Sequence, residues 1–319
     1  LSPYYDGKYG WMENPEQSTQ CRNNLYFFDR MTGYDRAHYI NATAFANVKL
    51  PFGIKYNASF NYGRTDTEHK AVTKVLNAYS FRTGEVAYRY DNLDNLSITE
   101  NTNFAYKWIF QNSLNWAKTI AKKHDITAMV GSETYYQNSN SLNAKKKRLE
   151  NDQLMEMNNA LDMNSISGTQ TDYAAVSVFG RLTYAYDNRY LLEANLRYDG
   201  SSRFARNSRW GLFPSISAGW RISEESFMKN SGIDNLKLRA SWGKLGNNSI
   251  GNYEYIPTYA SGFEYSFGNK LASGIVQSLS NSALTWETTT STDVGIELAV
   301  LDGRLTFETD WYNKVTDGI

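Results

Sequence analysis

The sequence predicts an all-β fold: a transmembrane antiparallel β-barrel, of which these 319 residues supply about ten strands. Polar and apolar side chains alternate with a period of two in many segments, which is typical of strands with two different faces. Several segments reach the roughly 9–11 residues that a strand needs to cross a bilayer. The connections alternate between short and long, as they do in outer-membrane barrels.

The composition agrees with this fold. Aromatic residues make up 15% of the chain, the mean hydropathy is −0.58, and 33 basic residues balance 33 acidic ones. Only every second residue of a barrel strand faces lipid, so the average stays polar, and the sequence lacks the roughly 20 apolar residues of a membrane helix. The neutral balance argues against a nucleic-acid partner, which needs a basic field. A single cysteine, Cys21, cannot form an internal disulfide.

The clearest strand is Arg189–Asp199. One face is apolar, with a tyrosine at each end, and carries Tyr190, Leu192, Ala194, Leu196 and Tyr198. The other face carries every charge of the segment. The same alternation predicts strands at 172–186, 216–222, 236–242, 293–300 and 305–311, and less regular ones at 38–49, 53–64, 103–119 and 124–138.

Short connections fall at 50–53, 121–124, 187–188 and 302–303, with a longer member of the same side at 224–235. Long connections are expected at 65–100, 140–171 and 247–284, with a shorter one near 200–209. In outer-membrane barrels the short turns face the periplasm and the long loops face the exterior. Four aromatic residues beside the short turns are therefore predicted to form the periplasmic aromatic girdle: Tyr184, Tyr186, Tyr190 and Trp220.

No catalytic motif is present: the chain has no phosphate-binding loop, no zinc-protease helix and no nucleophile elbow. The three histidines, His38, His69 and His124, are far apart in sequence and are read as surface or turn residues. We expect no enzymatic activity, no cofactor and no metal site.

Several stretches, in order, resemble the SusC/RagA family of TonB-dependent outer-membrane transporters. They are GRLTYAYDNRYL at Gly180–Leu191, RYDGSSRF at Arg197–Phe204, WGLFPSISAGWRISEE at Trp210–Glu225, LKLRASWGKLGN at Leu236–Asn247 and LTWETT at Leu284–Thr289. The resemblance covers residues 173–319 by motif, and the earlier residues by pattern alone. It implies a larger barrel of 22 strands with a plugged lumen. Residues 1–319 are then one partial outer-membrane β-barrel domain, without the plug, the signal peptide and the strand that closes the barrel.

The resemblance also implies a function. The expected activity is TonB-dependent import of a nutrient, an oligosaccharide or in some relatives a peptide, by a multi-pass protein of the bacterial outer membrane. The expected partners are a SusD-like surface lipoprotein, outer-membrane lipid, and the TonB–ExbB–ExbD complex acting through a region upstream of this chain. Alternatives are a passive porin, a barrel adhesin, and a soluble glycan-binding β-sandwich. A sandwich has strands of about five or six residues and no rhythm of short and long connections, so we favour the barrel.

Two groups of residues are candidates for a site. The first consists of charges predicted to face the lumen, where they pair with a plug or with neighbouring strands, substrate contact being the alternative: Arg181, Glu193, Arg197, Arg239 and Glu297. The second is the set of aromatic residues in the connection 247–284, predicted to bind substrate or dock the lipoprotein, with packing of the loop on itself as the alternative: Tyr253, Tyr255, Tyr259, Phe263 and Tyr265.

Overall fold

The computed structural model of the protein describes residues 4–11, 23–89, 96–229, 231–277 and 280–318. Its main feature is a ten-stranded sheet, in which each strand pairs with the next one along the chain. The strands are β1 (Met31–Lys49), β2 (Lys55–Thr73), β3 (Ser97–Ile120), β4 (His124–Leu149), β5 (Ala160–Tyr186), β6 (Tyr190–Ser201), β7 (Trp210–Arg221), β8 (Ile233–Asn247), β9 (Glu287–Val300) and β10 (Leu305–Asp317). The prediction of about ten antiparallel strands is confirmed.

The remaining elements are short. Strands Tyr4–Tyr5, Lys8–Gly10, Asn77–Tyr79 and Val86–Arg89 form a small sheet, and Tyr259–Phe267 pairs with Lys270–Gln277 as a hairpin. Helix α1 spans Asn24–Asp29, and 3-10 turns occupy Pro51–Gly53, Met157–Asn159, Ile222–Glu224 and Ser226–Met228. None of the helices among the described residues is long and apolar enough to span a membrane.

One edge of the main sheet, here called the short-turn edge, contains the five connections β1–β2, β3–β4, β5–β6, β7–β8 and β9–β10. Four of these are the connections that the sequence predicts to be short, and β7–β8 is the longer one that it places on the same side. Asp187 and Asn188 have φ values of 49° and 54°, which is left-handed backbone that Asp and Asn tolerate better than most residues. Arg189 N then closes the turn by donating to Tyr186 O at 2.9 Å.

Two of the predicted long connections are much shorter in the structure. β2 continues to Thr73 and β3 begins at Ser97, although the sequence predicts a loop over 65–100. β4 continues to Leu149 and β5 begins at Ala160, so that only residues 150–159 of the predicted loop 140–171 connect them. Polar and apolar residues do not alternate regularly in these segments. Pairing with the neighbouring strand contributes to their order, and the side-chain pattern does not reveal it.

The chain divides into two compact units. The smaller consists of Leu1–Asn41, Gly63–Tyr106 and Asn138–Thr171. Its core contains five buried residues: Val72, Leu96, Ile98, Leu149 and Ala160. Lys70, with a side chain only 11% exposed, pairs with Glu100 at 2.7 Å and Glu156 at 3.3 Å. This core explains why β2 to β5 continue past their predicted ends.

The larger unit consists of Ala42–Tyr62, Lys107–Gln137 and Asp172–Ile319. It contains β6 to β10 entire, and it contains all the predicted lumen-facing and girdle residues. The register of β6 with both of its neighbours is continuous: Leu192 lies opposite Tyr184 on one side and Ala218 on the other. The candidate site is therefore described within this unit.

Candidate functional site

One face of β5 to β10 is apolar and exposed, and we call it the apolar face. On β6, Tyr190, Leu192, Leu196 and Tyr198 are between 44% and 51% exposed. Their register partners on both sides are mostly apolar or aromatic, and they include Val178, Tyr184, Leu212 and Trp220. A contiguous exposed apolar surface is unfavourable in water and is what a bilayer requires.

The opposite face, the charged face, carries all five predicted lumen-facing residues. Arg239 is the most highly connected of them: its Nη2 donates to Glu308 Oε1 at 2.6 Å and to the Asp310 carboxylate at 2.7 Å. Its Nη1 lies 3.5 Å from Glu297 Oε1, and Lys237 Nζ donates to the same oxygen at 3.1 Å. These ion pairs run across β8, β9 and β10, so this network satisfies charges on neighbouring strands.

The other predicted charges pair in the same way. Arg181 Nε donates to Asn195 Oδ1 at 2.9 Å and lies 3.6 Å from Glu193. Arg197 Nε donates to Asp199 Oδ2 at 2.9 Å, and its Nη2 donates to the buried Ser177 hydroxyl at 2.9 Å. Pairing with neighbouring strands is thus present for each predicted residue. That this face lines a lumen stays a prediction.

The four predicted girdle residues lie together at the short-turn edge. Tyr190 stacks on Trp220, with ring centroids 6.4 Å apart and planes 13° apart, and lies 6.2 Å from Tyr186. His124, which the sequence suggests only as a turn residue, stacks on Tyr184 and bonds its hydroxyl at 2.9 Å. The geometry is that of a belt of amphipathic rings. Its periplasmic placement stays a prediction.

A buried carboxylate beside this belt is not evident from the sequence. Glu225, 8% exposed, accepts hydrogen bonds from the Tyr190 hydroxyl at 2.6 Å, Trp220 Nε1 at 3.1 Å and Arg189 Nη1 at 3.0 Å. We call Glu225 and these three donors the Glu225 cluster. The hydrogen bonds from Tyr190 and Trp220, with a smaller contribution from Arg189, hold the pKa of Glu225 below its usual value. In the β5–β6 turn, a hydrogen bond from Arg189 lowers the pKa of Asp187.

The Glu225 cluster gives a structural role to Arg189 and Tyr190, two residues of the motif at Gly180–Leu191. Arg189 and Tyr190 come from the β5–β6 turn and the start of β6, whereas Trp220 and Glu225 come from the end of β7 and the turn after it. One carboxylate therefore ties together two hairpins that are separate in sequence. The only sequence signal for it is a glutamate a few residues after an amphipathic strand, which is too weak to select it.

The structure separates the five aromatic residues predicted in the connection 247–284. The hydroxyl of Tyr253 accepts a hydrogen bond from Asp172 N at 2.8 Å, so this residue holds the loop against β5. Tyr255 is half-buried, while Tyr259 and Tyr265 lie on the hairpin and are 63% and 65% exposed. The side chain of Phe263 lies outside the described residues. Their binding role stays a prediction.

At the other edge of the sheet, three aromatic residues outside that set pack together. Phe204, fully buried, lies 5.3 Å from Trp286, and Phe213 meets the same indole edge-on at 5.2 Å. Trp286 Nε1 donates to Arg209 O at 3.1 Å. These contacts join the β6–β7 connection to the segment before β9. They give a packing role to one aromatic residue in each of the motifs Arg197–Phe204, Trp210–Glu225 and Leu284–Thr289.

Arg203 and Asn248 continue this packing. The Arg203 guanidinium lies 4.4 Å above the Tyr173 ring and donates to Asn252 Oδ1 at 3.1 Å. Asn248 Nδ2 donates to the hydroxyl of Tyr173 at 2.9 Å and to that of the buried Ser201 at 3.1 Å. The beginning of the connection 247–284 is thereby held against the middle of β5 and the end of β6.

Beside this packing the charged face contains a cavity of about 310 Å³. Its charged residues are Glu133 of β4 and Arg197 and Asp199 of β6, and its aromatic residues are Tyr135, Tyr173 and Trp286. A larger cavity of about 440 Å³ lies on the same face nearer the short-turn edge, among Glu193, Lys237, Arg239 and Asp293. Five charged residues line it together with small and apolar ones, and among these lining residues Tyr184 is the one aromatic.

Comparison with known proteins agrees with this architecture. The family described as "TonB dependent receptor-like, beta-barrel" matches residues 2–319. The TonB-dependent receptor P39 of Formosa agariphila is 40% identical over 98% of this chain, and the TonB-dependent receptor SusC of Bacteroides thetaiotaomicron is 42% identical over 47% of it. Among solved structures, a chain of the RagAB peptide transporter superposes with a TM-score of 0.78 at 25% identity over 92% of this chain.

These relatives are much longer than the chain. The matched region makes up 32% of receptor P39, 16% of SusC and 31% of the RagAB chain. The chain thus spans about a third of the length of the relatives it matches most completely.

Proposed function

The chain belongs to the TonB-dependent receptor β-barrel family, and from that membership we propose that it forms part of the wall of an outer-membrane importer for an oligosaccharide. The observation that carries the proposal is the two-faced sheet: in β5 to β10 most of the exposed apolar residues lie on one face and the paired charges lie on the other. A barrel wall between lipid and an aqueous or protein-filled interior has both faces, and its apolar face stays exposed as it does here, whereas a sandwich buries that face in its core.

The proposed orientation follows from the connections. Barrels of this kind have short periplasmic turns and longer outer loops, so the short-turn edge faces the periplasm. The aromatic belt of Tyr184, Tyr186, Tyr190 and Trp220 then lies at the inner interface of the membrane. β3, β4 and β5, with 24, 26 and 27 residues, exceed the roughly 9–11 that cross a bilayer, and continue beyond its outer surface.

The proposed partners follow from the family. The wall described here surrounds a plug supplied by another part of a longer chain, and the paired charges of the charged face contact that plug or the water around it. A SusD-like lipoprotein covers the outer opening, and TonB with ExbB and ExbD displaces the plug. The protein moves its substrate without changing it, so no enzymatic step is assigned. The relative in the RagAB structure is a peptide transporter, which makes a peptide the second candidate substrate.

The importer proposal is tested by uptake. A strain that lacks the gene is complemented with the full-length protein, and uptake of fluorescent maltohexaose, laminarihexaose and a glycine–serine hexapeptide is measured with TonB present and depleted. We expect TonB-dependent uptake of a saccharide. Uptake that persists without TonB would identify a passive porin, and loss of cell adhesion with no change in uptake would identify an adhesin. TonB-dependent uptake of the peptide alone would replace the oligosaccharide with a peptide.

A further inference from the structure

We propose that the cavity among Tyr135, Tyr173, Trp286, Arg197 and Asp199 is a wall subsite that binds one sugar ring of a neutral oligosaccharide. The proposal rests on the importer function above and adds the place where this chain contacts its substrate. Its volume, about 310 Å³, lies at the lower end of the roughly 300–1,000 Å³ found for small-molecule sites. That is room for a single ring of a longer chain.

The aromatic residues supply apolar surfaces for the ring. Tyr135 and Tyr173 are half-buried neighbours with centroids 5.5 Å apart and planes inclined by 53°, and Trp286 lines the same cavity. A pyranose has two faces of C–H groups that pack on aromatic rings, while its edge carries the hydroxyl groups. Aromatic side chains with a polar rim suit such an amphipathic ligand.

The polar residues supply the rim. Asp199 Oδ2 accepts from Arg197 Nε at 2.9 Å, whereas Asp199 Oδ1 is buried and has no hydrogen-bond partner among the described residues. An ionised carboxylate accepts up to about four hydrogen bonds, so Asp199 has acceptor capacity left. Arg197 has a side chain that is 44% exposed and lies 3.8 Å from Glu133. Carboxylate acceptors and guanidinium donors side by side match hydroxyl groups, which both donate and accept.

Contacts with neighbouring residues hold the aromatic side chains of the cavity in place. The hydroxyl of Tyr173 is held by Asn248 at 2.9 Å, its ring is covered by Arg203 at 4.4 Å, and the indole of Trp286 is held by Arg209 O at 3.1 Å. Side chains fixed before binding lose little conformational entropy when a ligand arrives. A surface that served only to pack a loop would not need its aromatic rings fixed at the border of an open cavity.

The charge of the cavity favours a neutral saccharide over a peptide carboxylate. Two carboxylates, Glu133 and Asp199, flank a single guanidinium, that of Arg197, which is already paired with both. A peptide carboxylate would have to break these pairs. A hydroxyl group can donate to the second lone pair of Asp199 Oδ2 without breaking them, because the Asp199 side chain keeps 16% of its surface exposed.

The test measures direct binding to the purified full-length protein in detergent. Titration calorimetry gives the affinities for maltohexaose, laminarihexaose and the glycine–serine hexapeptide. The variants are Asp199→Asn and Tyr135→Ala, and the matched control is Asp293→Asn, an acidic residue of the charged face outside this cavity. Heat-shifted gel mobility verifies that each variant is folded. The control variant should bind as the unaltered protein does.

We expect at least one hexasaccharide to bind, and each of the two cavity variants to weaken its affinity about tenfold: Asp199→Asn weakens a hydrogen bond to a charged group, and Tyr135→Ala removes an aromatic surface under the sugar ring. The proposal is overturned if no hexasaccharide binds, if both cavity variants bind like the control, or if they alter binding of the hexapeptide instead. Binding in detergent needs no TonB. Saccharide binding without TonB-dependent uptake would therefore refute the importer alone, and uptake unaffected by the two variants would refute the subsite alone.

Discussion

Glycine at position 295 allows an ion pair to cross a strand. Arg239 on β8 lies in register between Gly219 of β7 and Gly295 of β9, and Gly295 lies opposite Asp310 of β10. The guanidinium passes over Gly295 to reach Asp310 at 2.7 Å. A Cβ at position 295 would overlap the Asp310 carboxylate and lie 2.5 Å from Arg239 Nε. The smallest residue is needed here for steric reasons, not for backbone freedom.

Replacing Gly295 with Ala should therefore displace the Arg239–Asp310 pair. We expect a loss of about 1–3 kcal/mol in the free energy of unfolding, the usual range for overpacking. Gly219→Ala is the matched control, because a Cβ there meets its nearest atoms at 3.5 Å, an ordinary contact. Reversible unfolding of the full-length protein in detergent measures both. Equal losses in the two variants would contradict the steric role of Gly295.

β6 shows how one strand separates two environments. Leu196 is 51% exposed on the apolar face and lies opposite Gly180 and Pro214. Asn195, its neighbour in sequence, lies on the charged face, where it accepts from Arg181 and donates to the Ser215 hydroxyl at 3.3 Å. Adjacent residues thus have opposite surroundings because the side chains of a strand alternate between faces.

An arginine should be tolerated very differently at these two positions. Leu196→Arg places a charge in lipid, which costs roughly 2–4 kcal/mol at the bilayer midplane and less toward its surfaces; we expect about 2 kcal/mol. Asn195→Arg loses the hydrogen bonds of Asn195 and should cost about 1 kcal/mol or less. Folding of the full-length protein into lipid vesicles at several urea concentrations measures both free energies. An Asn195→Arg variant that folds no better than Leu196→Arg would show that the faces are wrongly assigned.

For the whole molecule, the Glu225 cluster links the hairpins β5–β6 and β7–β8 at the short-turn edge. Three donors converge on one carboxylate, and Arg189 also binds Asp187. Both carboxyl groups have pKa values below their usual range for this reason. A group whose pKa is lower in the folded state than in the unfolded state stabilises the fold above its unfolded pKa. This contribution is lost as the pH falls through the folded pKa.

The full-length protein should therefore lose stability as the pH falls from neutral through the range near pH 4 in which free carboxyl groups titrate. The Asp187→Asn, Glu225→Gln double variant should be less stable at neutral pH and should depend less on pH over that interval. Glu224→Gln is the control, because Glu224 forms only an exposed pair with Arg221 and such pairs contribute little. Thermal unfolding in detergent at a series of pH values is the measurement. Parallel curves for the unaltered protein and the double variant would disprove the contribution of the cluster.

The sequence by itself determined the fold class, the face of each strand from β5 to β10 and the positions of the short turns. These features depend on local rules: alternation places successive side chains on opposite faces, and Asp187-Asn188 accepts the left-handed backbone of a tight turn. The same rules placed Arg181, Glu193, Arg197, Arg239 and Glu297 on one face. They did not predict the strand residues within 65–100 and 140–171, because polar and apolar residues do not alternate regularly there.

Only the tertiary structure decided which of these residues meet. Glu225 joins a turn to donors that lie 5, 35 and 36 residues away, and Tyr135, Tyr173, Asp199 and Trp286 border one cavity although they come from four separate segments. The aromatic residues that the sequence selected in 247–284 include Tyr253, whose hydroxyl contacts β5, a partner that the sequence did not indicate. The physical reason is that strand register sets contacts between distant residues, and register depends on the pairing of whole strands rather than on any one segment.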